Sequence, residues 1–274
     1  MKYLIVGASG FLGSTIYRKL KEKNEDVIGT YFTKKKDDAF INIDLSEPES
    51  LIKLYETVNP DAVIWTVRNY QFEDRIAENV LAPFLKKIKP ECKMVFLSTS
   101  VAYEKNMSEA VVPQMRTEEM YIPHYFNGKI IAEEMIKKHP NFTIIRPGSI
   151  YGRDSYGNYD ERTMQLWNHV KKKEAYVRAK NICFSIVEVN ELADAVIELT
   201  NSDFKGTINV SEETFVSHYE FNKDLCRMYG WDDSCIIGNF EEETIYYLDN
   251  SLRKKILHTK IGEMKHRRCD FAGN

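Results

Sequence analysis

The chemistry of this chain is suggested first by a phenol and an ammonium group. The stretch "IPHYFNGKIIAEEMIKKHP" places Tyr125 and Lys129 four residues apart at the start of a predicted helix. That spacing puts both side chains on one helical face, within reach of a common third group. A phenol has an ordinary pKa of about 10 and becomes a more effective acid beside a cation that stabilises phenolate. The pair could protonate the oxygen of a ketone that accepts hydride, or be a surface tyrosine packed on a lysine stem.

The elements that must position this pair follow a strand–helix rhythm. The runs "KYLIVGA", "DVIGTYF", "DAVIWTV" and "KMVFLSTS" are apolar and rich in β-branched residues, and helical patterns separate them. Nearly continuous apolar strands are typical of a parallel sheet covered on both faces. The sequence therefore predicts an α/β fold with a Rossmann-like doubly wound parallel sheet.

The alternation of strands and helices changes after Gly152, where a polar, glycine-containing stretch begins. We predict a Rossmann domain over residues 1–152 and a small α/β lobe, mainly for substrate binding, over residues 153–274. The segment 182–201 is expected to return to the first domain. Ligands of such sheets lie at the carboxyl ends of the strands, so the lobe should cover that edge.

Bulk composition excludes several functions for the 274 residues. The chain is 43% hydrophobic and 29% charged with a formal net charge of −3, so we expect no nucleic-acid partner. We also expect no membrane span and no signal peptide. The five cysteines (Cys92, Cys183, Cys226, Cys235 and Cys269) are scattered without a C-x-x-C motif. This pattern predicts reduced thiols in the cytoplasm and no metal site.

A glycine-rich turn joins the first strand to the first helix. "VGASGFLG" contains Gly7, Gly10 and Gly13 at this point. Glycines permit a tight turn and close approach of the backbone to a pyrophosphate, which the helix N-terminus attracts. The turn therefore predicts a dinucleotide site, although its spacing differs from the G-x-G-x-x-G fingerprint and a purely structural turn is the alternative.

The end of the second strand favours NADP over NAD. NAD sites usually place a carboxylate there, but "GTYFTKKK" offers Tyr31 and then three lysines. Lys34 would pair with a 2′-phosphate, unless the lysines simply face solvent. Asp44 could reach an adenine amino group or could serve as a helix cap or turn residue.

Four motifs together resemble one family, the extended short-chain dehydrogenase/reductases. They are "GASGFLG", "FLSTSVAY", "YFNGK" and "RPGSIYG", in this order. The segments "FVSHYEFNKDLCRMYGWD" and "LDNSLRKKIL" further resemble the C-terminal lobe of dTDP-4-dehydrorhamnose reductases. The resemblance implies an NAD(P)H-dependent reductase of a keto group on a nucleotide-activated deoxysugar.

The resemblance also implies site residues. It assigns catalysis to Tyr125, Lys129 and Thr99, with Ser98 and Ser100 as near alternatives to Thr99. Lys129 would lower the pKa of the phenol and hold the nicotinamide ribose. Further cofactor contacts are implied at Ser9, Phe11, Leu12, Leu45, Thr66, Val67, Asn79, Ser98, Pro147, Gly148, Ser149 and Ile150. For Asn79 the alternative is a surface helix position.

The substrate side departs from the family pattern. The loop "WTVRNYQFED" is short and carries Arg68, which could bind an anionic group of the substrate or form a salt bridge with Glu73 or Asp74. Ser100 and Tyr151 are the other predicted substrate contacts. Tyr151, like Trp167 and Trp231, has a place in the core as its alternative.

Two other functions remain open at this point. One is a nucleotide-sugar epimerase that retains NAD through its cycle, and the other is a non-catalytic NADP-binding regulatory subunit. A dehydratase is disfavoured because Ser100 stands where an acid would follow Thr99. The expected partner is a nucleotide sugar, and a homodimer is possible.

Overall fold

Strands and helices alternate along the computed structural model, which describes residues 1–100 and 107–266. The strands are β1 (Lys2–Val6), β2 (Asp26–Tyr31), β3 (Ile41–Asn42), β4 (Ala62–Trp65), β5 (Lys93–Leu97), β6 (Phe142–Pro147), β7 (Ser149–Tyr151), β8 (Tyr176–Ala179), β9 (Ile182–Glu188), β10 (Gly206–Val210), β11 (Phe215–Ser217), β12 (Ile236–Asn239) and β13 (Thr244–Tyr246). The α-helices are α1 (Phe11–Glu22), α2 (Pro48–Val58), α3 (Glu73–Ile76), α4 (Ala82–Leu85), α5 (Pro123–Ile136), α6 (Glu161–Lys172), α7 (Val189–Thr200), α8 (His218–Tyr229) and α9 (Ser251–Ile256). A π-helical turn (Ala77–Leu81) joins α3 to α4, and a 3-10 turn covers Met264–His266.

Seven strands form the main sheet, in the order β10-β6-β5-β4-β1-β2-β3. Every neighbouring pair in it is parallel. The strand order reverses direction at β1, which is the feature that creates a crevice at the carboxyl ends of the strands. The predicted Rossmann-like doubly wound sheet is confirmed.

Alternating side chains bury both faces of this sheet. Ile5 and Ile64 belong to the apolar cluster under α1 and α7, whereas Leu4 and Val63 belong to the cluster on the opposite face. All four side chains are fully buried. Because successive residues of a strand point to opposite faces, a continuous apolar run stabilises packing on both sides.

One predicted helix contains a π-helical turn in the structure. The pattern around "DRIAENVLAPFLKKI" forms α3, the π-helical turn and α4. Pro83 lies at the start of α4, where it lacks the amide hydrogen that a continuous helix would use. The helical backbone continues through these turns, and α3 packs closely on α5.

The boundary between the two predicted domains needs correction. In the segment 182–201, α7 does return to the main domain and packs on α1. The strand β9 does not, since it pairs with β7, β11 and β13 in a second sheet. The strand β10, predicted to lie in the substrate lobe, instead pairs with β6 at the edge of the main sheet.

Candidate active site

The glycine turn is built for close approach of the backbone. Gly7 has a φ of +91°, which favours glycine, and a Cβ at Gly13 would lie 2.4 Å from the Gly7 carbonyl oxygen. Gly10 caps α1, and no side chain among the described residues accepts a hydrogen bond there. The first-turn amides of α1 are therefore available to an anion, and the turn fits the pyrophosphate of a nicotinamide dinucleotide.

The side chains of two threonines contact the backbone of this turn. The Gly7 amide donates to Thr30 Oγ1 at 3.0 Å, and Thr66 Oγ1 lies 3.1 Å from the carbonyl oxygens of both Val6 and Gly7. These contacts join β1, β2 and β4 at the site. Thr66, a predicted cofactor contact, therefore supports the turn directly.

The lysines after β2 have different surroundings. Lys34 is exposed, and Lys35 pairs with Asp38 at 3.0 Å. Lys36 lies 2.6 Å from the buried Asp154, a residue of the C-terminal part of the chain. Of the three lysines in this loop, Lys34 and Lys35 are exposed and Lys36 is half-buried.

Other predicted contacts on the adenosine side have local roles. One carboxylate oxygen of Asp44 accepts a hydrogen bond from the Ser46 amide at 2.8 Å, as the turn alternative for Asp44 expects. Tyr31 and Leu45 are half-buried nearby in sequence, and Asn79 is exposed on the π-helical turn, where its surface alternative places it. The predicted contacts Ser9, Phe11 and Leu12 belong to the glycine turn and the first turn of α1.

Tyr125 stands in the first turn of α5, where it is 9% exposed. A hydrogen bond joins its hydroxyl to that of Thr99, and the Tyr70 ring packs edge-on at 5.3 Å. Burial and, to a smaller extent, the Glu73 carboxylate raise the pKa of Tyr125 to about 12, although Thr99 and Arg68 act in the opposite direction. The phenol is therefore protonated at neutral pH.

Lys129 has surroundings that differ from the expected ones. Its ammonium lies 2.8 Å from Glu73 Oε1 and donates to the carbonyl oxygens of Val67 at 2.8 Å and Leu97 at 3.1 Å. Its distance to the centroid of the Tyr125 ring is 5.8 Å. Glu73 thus faces the ammonium in this structure, and the role of Lys129 in lowering the pKa of the phenol stays a prediction.

A second buried ion pair anchors α5 beneath the phenol. Glu133 accepts two hydrogen bonds from Arg146, at 2.9 and 2.6 Å, and one from the Ser98 hydroxyl at 2.6 Å. All three residues are nearly fully buried. The Ser98 hydroxyl is thus engaged by Glu133, and Thr99 is the hydroxyl that bonds to Tyr125; a cofactor contact of Ser98 stays a prediction.

The strand β7 passes beside the site. The Gly148 amide donates to the Val210 carbonyl at 2.9 Å, and Ser149 and Ile150 are half-buried beside the buried Pro147. Tyr151 is fully buried, and its hydroxyl donates to Glu212 at 2.7 Å. Tyr151 is thus a core residue of the C-terminal lobe, and its predicted contact with substrate is corrected.

Arg68 joins the two parts of the chain across the site. It lies 2.7 Å from Glu161 at the start of α6, and its guanidinium stacks on the Tyr70 ring at 4.8 Å. It pairs with neither Glu73 nor Asp74. Ser100 is half-buried after β5, while Tyr103 of the "VAY" motif and Cys269 lie outside the described residues.

Sequence analysis missed Glu73, Tyr70 and Glu161 as members of the site. Glu73 was considered only as a surface partner for Arg68, yet it is 3% exposed. The one available signal was Gly128, between Tyr125 and Lys129, since a glycine inside a helix often marks a close approach of backbone. A Cβ at Gly128 would lie 2.3 Å from the Glu73 carbonyl carbon.

The geometry agrees with a family that is recognised over most of the chain. A model of the NAD dependent epimerase/dehydratase family matches residues 3–210. The chain belongs to this family. It is an NAD(P)-dependent oxidoreductase of the extended short-chain dehydrogenase/reductase type, as its four motifs indicated.

Proteins that are similar to this chain carry the names of sugar-modifying enzymes. A probable low-salt glycan biosynthesis reductase of Haloferax volcanii is 21% identical over 86% of this chain and 83% of its own length. A GDP-6-deoxy-D-talose 4-dehydrogenase of Aggregatibacter actinomycetemcomitans is 23% identical over 83% and 80%. The structure of a hypothetical dTDP-4-dehydrorhamnose reductase from Sulfolobus tokodaii is 21% identical, covers 96% of this chain and 98% of its own, and superposes with a TM-score of 0.77.

The described residues contain neither a metal-binding cluster nor a membrane-spanning helix. No group of three or more His, Cys, Asp or Glu residues in this part of the chain could hold a metal ion. No helix within the same residues is long and apolar enough to cross a membrane.

Proposed function

We propose that the protein reduces a keto group on a nucleotide-activated deoxysugar, as dTDP-4-dehydrorhamnose reductases do, with NADPH preferred over NADH. The observation that carries the proposal is the hydrogen bond between the half-buried Thr99 and the buried Tyr125, whose phenol is protonated at neutral pH. A reductase requires a proton donor at this point.

The residues of the chain divide the reaction between binding and proton transfer. The glycine turn and the N-terminus of α1 would hold the pyrophosphate of the dinucleotide, which supplies hydride when bound. Thr99 would orient the substrate carbonyl toward the Tyr125 hydroxyl. As negative charge develops on the carbonyl oxygen, Tyr125 would donate its proton to that oxygen.

The preference for NADPH is proposed from the loop after β2. This strand ends in Tyr31 without a carboxylate at its end, and the exposed Lys34 follows. A lysine there attracts a 2′-phosphate, whereas a carboxylate would repel it. Lys34→Gln should weaken NADPH binding and leave NADH binding unchanged, with Lys35→Gln as the matched control.

The site of action proposed for the enzyme is the cytoplasm. Cys92, Cys183, Cys226 and Cys235 are free thiols in the structure, in keeping with a reducing compartment. The substrate partner would be a nucleotide sugar, and a homodimer is an open proposal that sedimentation can test.

The deciding experiment follows the absorbance of reduced nicotinamide with a panel of nucleotide-linked 4-keto sugars. Consumption of NADPH that requires the sugar and is absent in Tyr125→Phe supports the proposal. Cofactor that co-purifies and survives dialysis, together with interconversion of sugar epimers, would instead identify an epimerase. Tight NADPH binding with no turnover of any sugar would identify a regulatory subunit.

A further inference from the structure

An ion pair joins the loop after β4 to the first residue of α6. The Arg68 guanidinium in that loop lies 2.7 Å from Oε1 of Glu161, with which α6 begins. No other hydrogen bond or ion pair of the Glu161 side chain occurs among the described residues. Within this part of the chain, Arg68 is therefore the group that holds the Glu161 carboxylate in place.

Both members of this pair remain accessible to solvent. The Arg68 side chain is 48% exposed and that of Glu161 is 64% exposed, whereas the buried Lys129–Glu73 pair is 2% and 3% exposed. An exposed pair contributes little stability, because water screens the attraction and two flexible side chains must be ordered. Another anion can thus replace Glu161 on Arg68 at a small cost in free energy.

Arg68 lies close to the phenol that would donate the proton. Its guanidinium stacks on the Tyr70 ring at 4.8 Å, and that ring packs edge-on against Tyr125 at 5.3 Å. Burial raises the pKa of Tyr125 to about 12, and Arg68 acts in the opposite direction, so its charge reaches the phenol. An anion bound to Arg68 would therefore belong to the molecule whose carbonyl meets Tyr125.

A second guanidinium favours an anion at this position. Arg162 follows Glu161 in α6, and its Nη2 donates to the Ile150 carbonyl at 2.7 Å. Burial lowers the pKa of Arg162, and the charge of Arg68 acts in the same direction. Asp160 and Glu161 oppose this effect. Two cations thus lie within electrostatic reach of each other, and an anion between them reduces their repulsion.

The neighbouring Asp160 is fixed by the helix and cannot exchange with another anion in this way. It caps α6 by accepting hydrogen bonds from the Arg162 and Thr163 amides, both at 3.1 Å, and it accepts a third from the Gly152 amide at 3.2 Å. Its side chain is buried. Glu161 is thus the carboxylate at this helix start that can move without loss of the cap.

We propose that Glu161 occupies the position of a substrate anion on Arg68, and that the substrate binds by displacing it. The inference rests on the proposed function and narrows the substrate to one that presents an anionic group to Arg68. Either a carboxylate on the sugar or the diphosphate of the nucleotide has oxygens that fit the guanidinium. A neutral ligand gains nothing in return for breaking the pair, so Glu161 favours anionic substrates.

The test compares the binding of sugar nucleotides to the wild type and to Glu161→Gln by isothermal titration. The probes are three nucleotides with neutral sugars, namely UDP-glucose, dTDP-glucose and GDP-mannose, and one with an acidic sugar, UDP-glucuronic acid. Glu161→Gln should bind at least one probe about two- to fivefold more tightly, because an exposed ion pair no longer has to break. A gain for UDP-glucuronic acid alone identifies the sugar carboxylate, and a gain for a neutral-sugar probe identifies the diphosphate.

Two further variants control this measurement. Glu49→Gln is the matched control, because Glu49 is an exposed acid in the first turn of α2, and it should leave every affinity unchanged. Arg68→Gln should weaken binding of the same probe. Adding Glu161→Gln to Arg68→Gln should give a smaller gain than Glu161→Gln gives in the wild type, since no pair remains to be broken.

Three results would overturn the proposal: weaker or unchanged binding in Glu161→Gln, an equal gain in the Arg68→Gln background, or failure of every probe to bind. The titrations need no turnover, so the two proposals fail separately. Tighter binding in Glu161→Gln without reduction of any keto sugar would refute only the proposed function. Reduction of a keto sugar without a gain in affinity in Glu161→Gln would refute only the displacement of Glu161.

Discussion

Lys129 and Glu73 form an ion pair of 2.8 Å with both side chains almost completely excluded from solvent. Removal of one member leaves the other charge buried without its partner. Lys129→Met should therefore lower the free energy of unfolding by about 3–5 kcal/mol. The double variant Lys129→Met/Glu73→Gln should lose clearly less, and urea denaturation measures both. Equal losses in the single and double variants would contradict a coupled pair.

Tyr125→Phe tests the proton donor. The phenyl ring can keep the contacts with Tyr70 and Phe126, whose rings lie 5.3 and 5.2 Å away, so the fold and NADPH affinity should be retained. Turnover should fall by a factor of about 10² to 10⁴, the usual contribution of a positioned acid. Tyr121→Phe is the control, because Tyr121 is 72% exposed. Steady-state rates and NADPH fluorescence titrations give both quantities, and full activity in Tyr125→Phe would refute its role.

Alanine substitutions at two glycines of the nucleotide turn should lower the NADPH affinity to different extents. A Cβ at Gly13 would lie 2.4 Å from the Gly7 carbonyl oxygen and 2.7 Å from Thr66 Oγ1, whereas a Cβ at Gly10 would lie 3.1 Å from the same carbonyl. Gly13→Ala must therefore displace the turn, and we expect at least a tenfold loss of NADPH affinity, or about 1.4 kcal/mol. Gly10→Ala should lose less. Isothermal titration with NADPH measures both affinities, and unchanged affinity in both variants would show that the turn does not contact the cofactor.

Substitution of Arg68 should affect binding of the sugar substrate more than the stability of the fold. The Arg68–Glu161 pair is 48% and 64% exposed at its two side chains, so its loss should cost less than about 1 kcal/mol. The same arginine stacks on Tyr70, which packs against Tyr125. Arg68→Ala should therefore raise KM for the keto sugar with little change in melting temperature or NADPH affinity. An unchanged KM would place Arg68 outside the substrate site.

Glu198 should make stability depend on pH. Burial alone would raise its pKa, but hydrogen bonds from His258 and Thr259 outweigh burial and lower it to about 2. The stabilisation is complete above the unfolded-state pKa of about 4.3 and is lost as the pH falls toward 2. Glu198→Gln should be less stable than the wild type by about 1–2 kcal/mol at neutral pH, after allowance for partial exposure, and the difference should vanish in acid. Urea unfolding across this pH range measures the difference.

Several features of this protein follow from local sequence alone. The apolar runs predict the parallel sheet because a strand buried on both faces must be apolar at every position. The glycine turn follows from Gly7, Gly10 and Gly13, and the shared face of Tyr125 and Lys129 follows from helical periodicity. Each of these depends on residues within one or two turns of chain.

Contacts between distant segments were decided only by the tertiary structure. The approach of α3 to Gly128 places Glu73 beside Lys129, and the second sheet buries Tyr151 against Glu212. Arg68 pairs with Glu161 at the start of α6, although Glu73 and Asp74 are nearer to it in sequence. Sequence spacing specifies which side chains share an element, but the partner of a buried charge depends on how two elements pack, and that packing sets whether the phenol holds its proton.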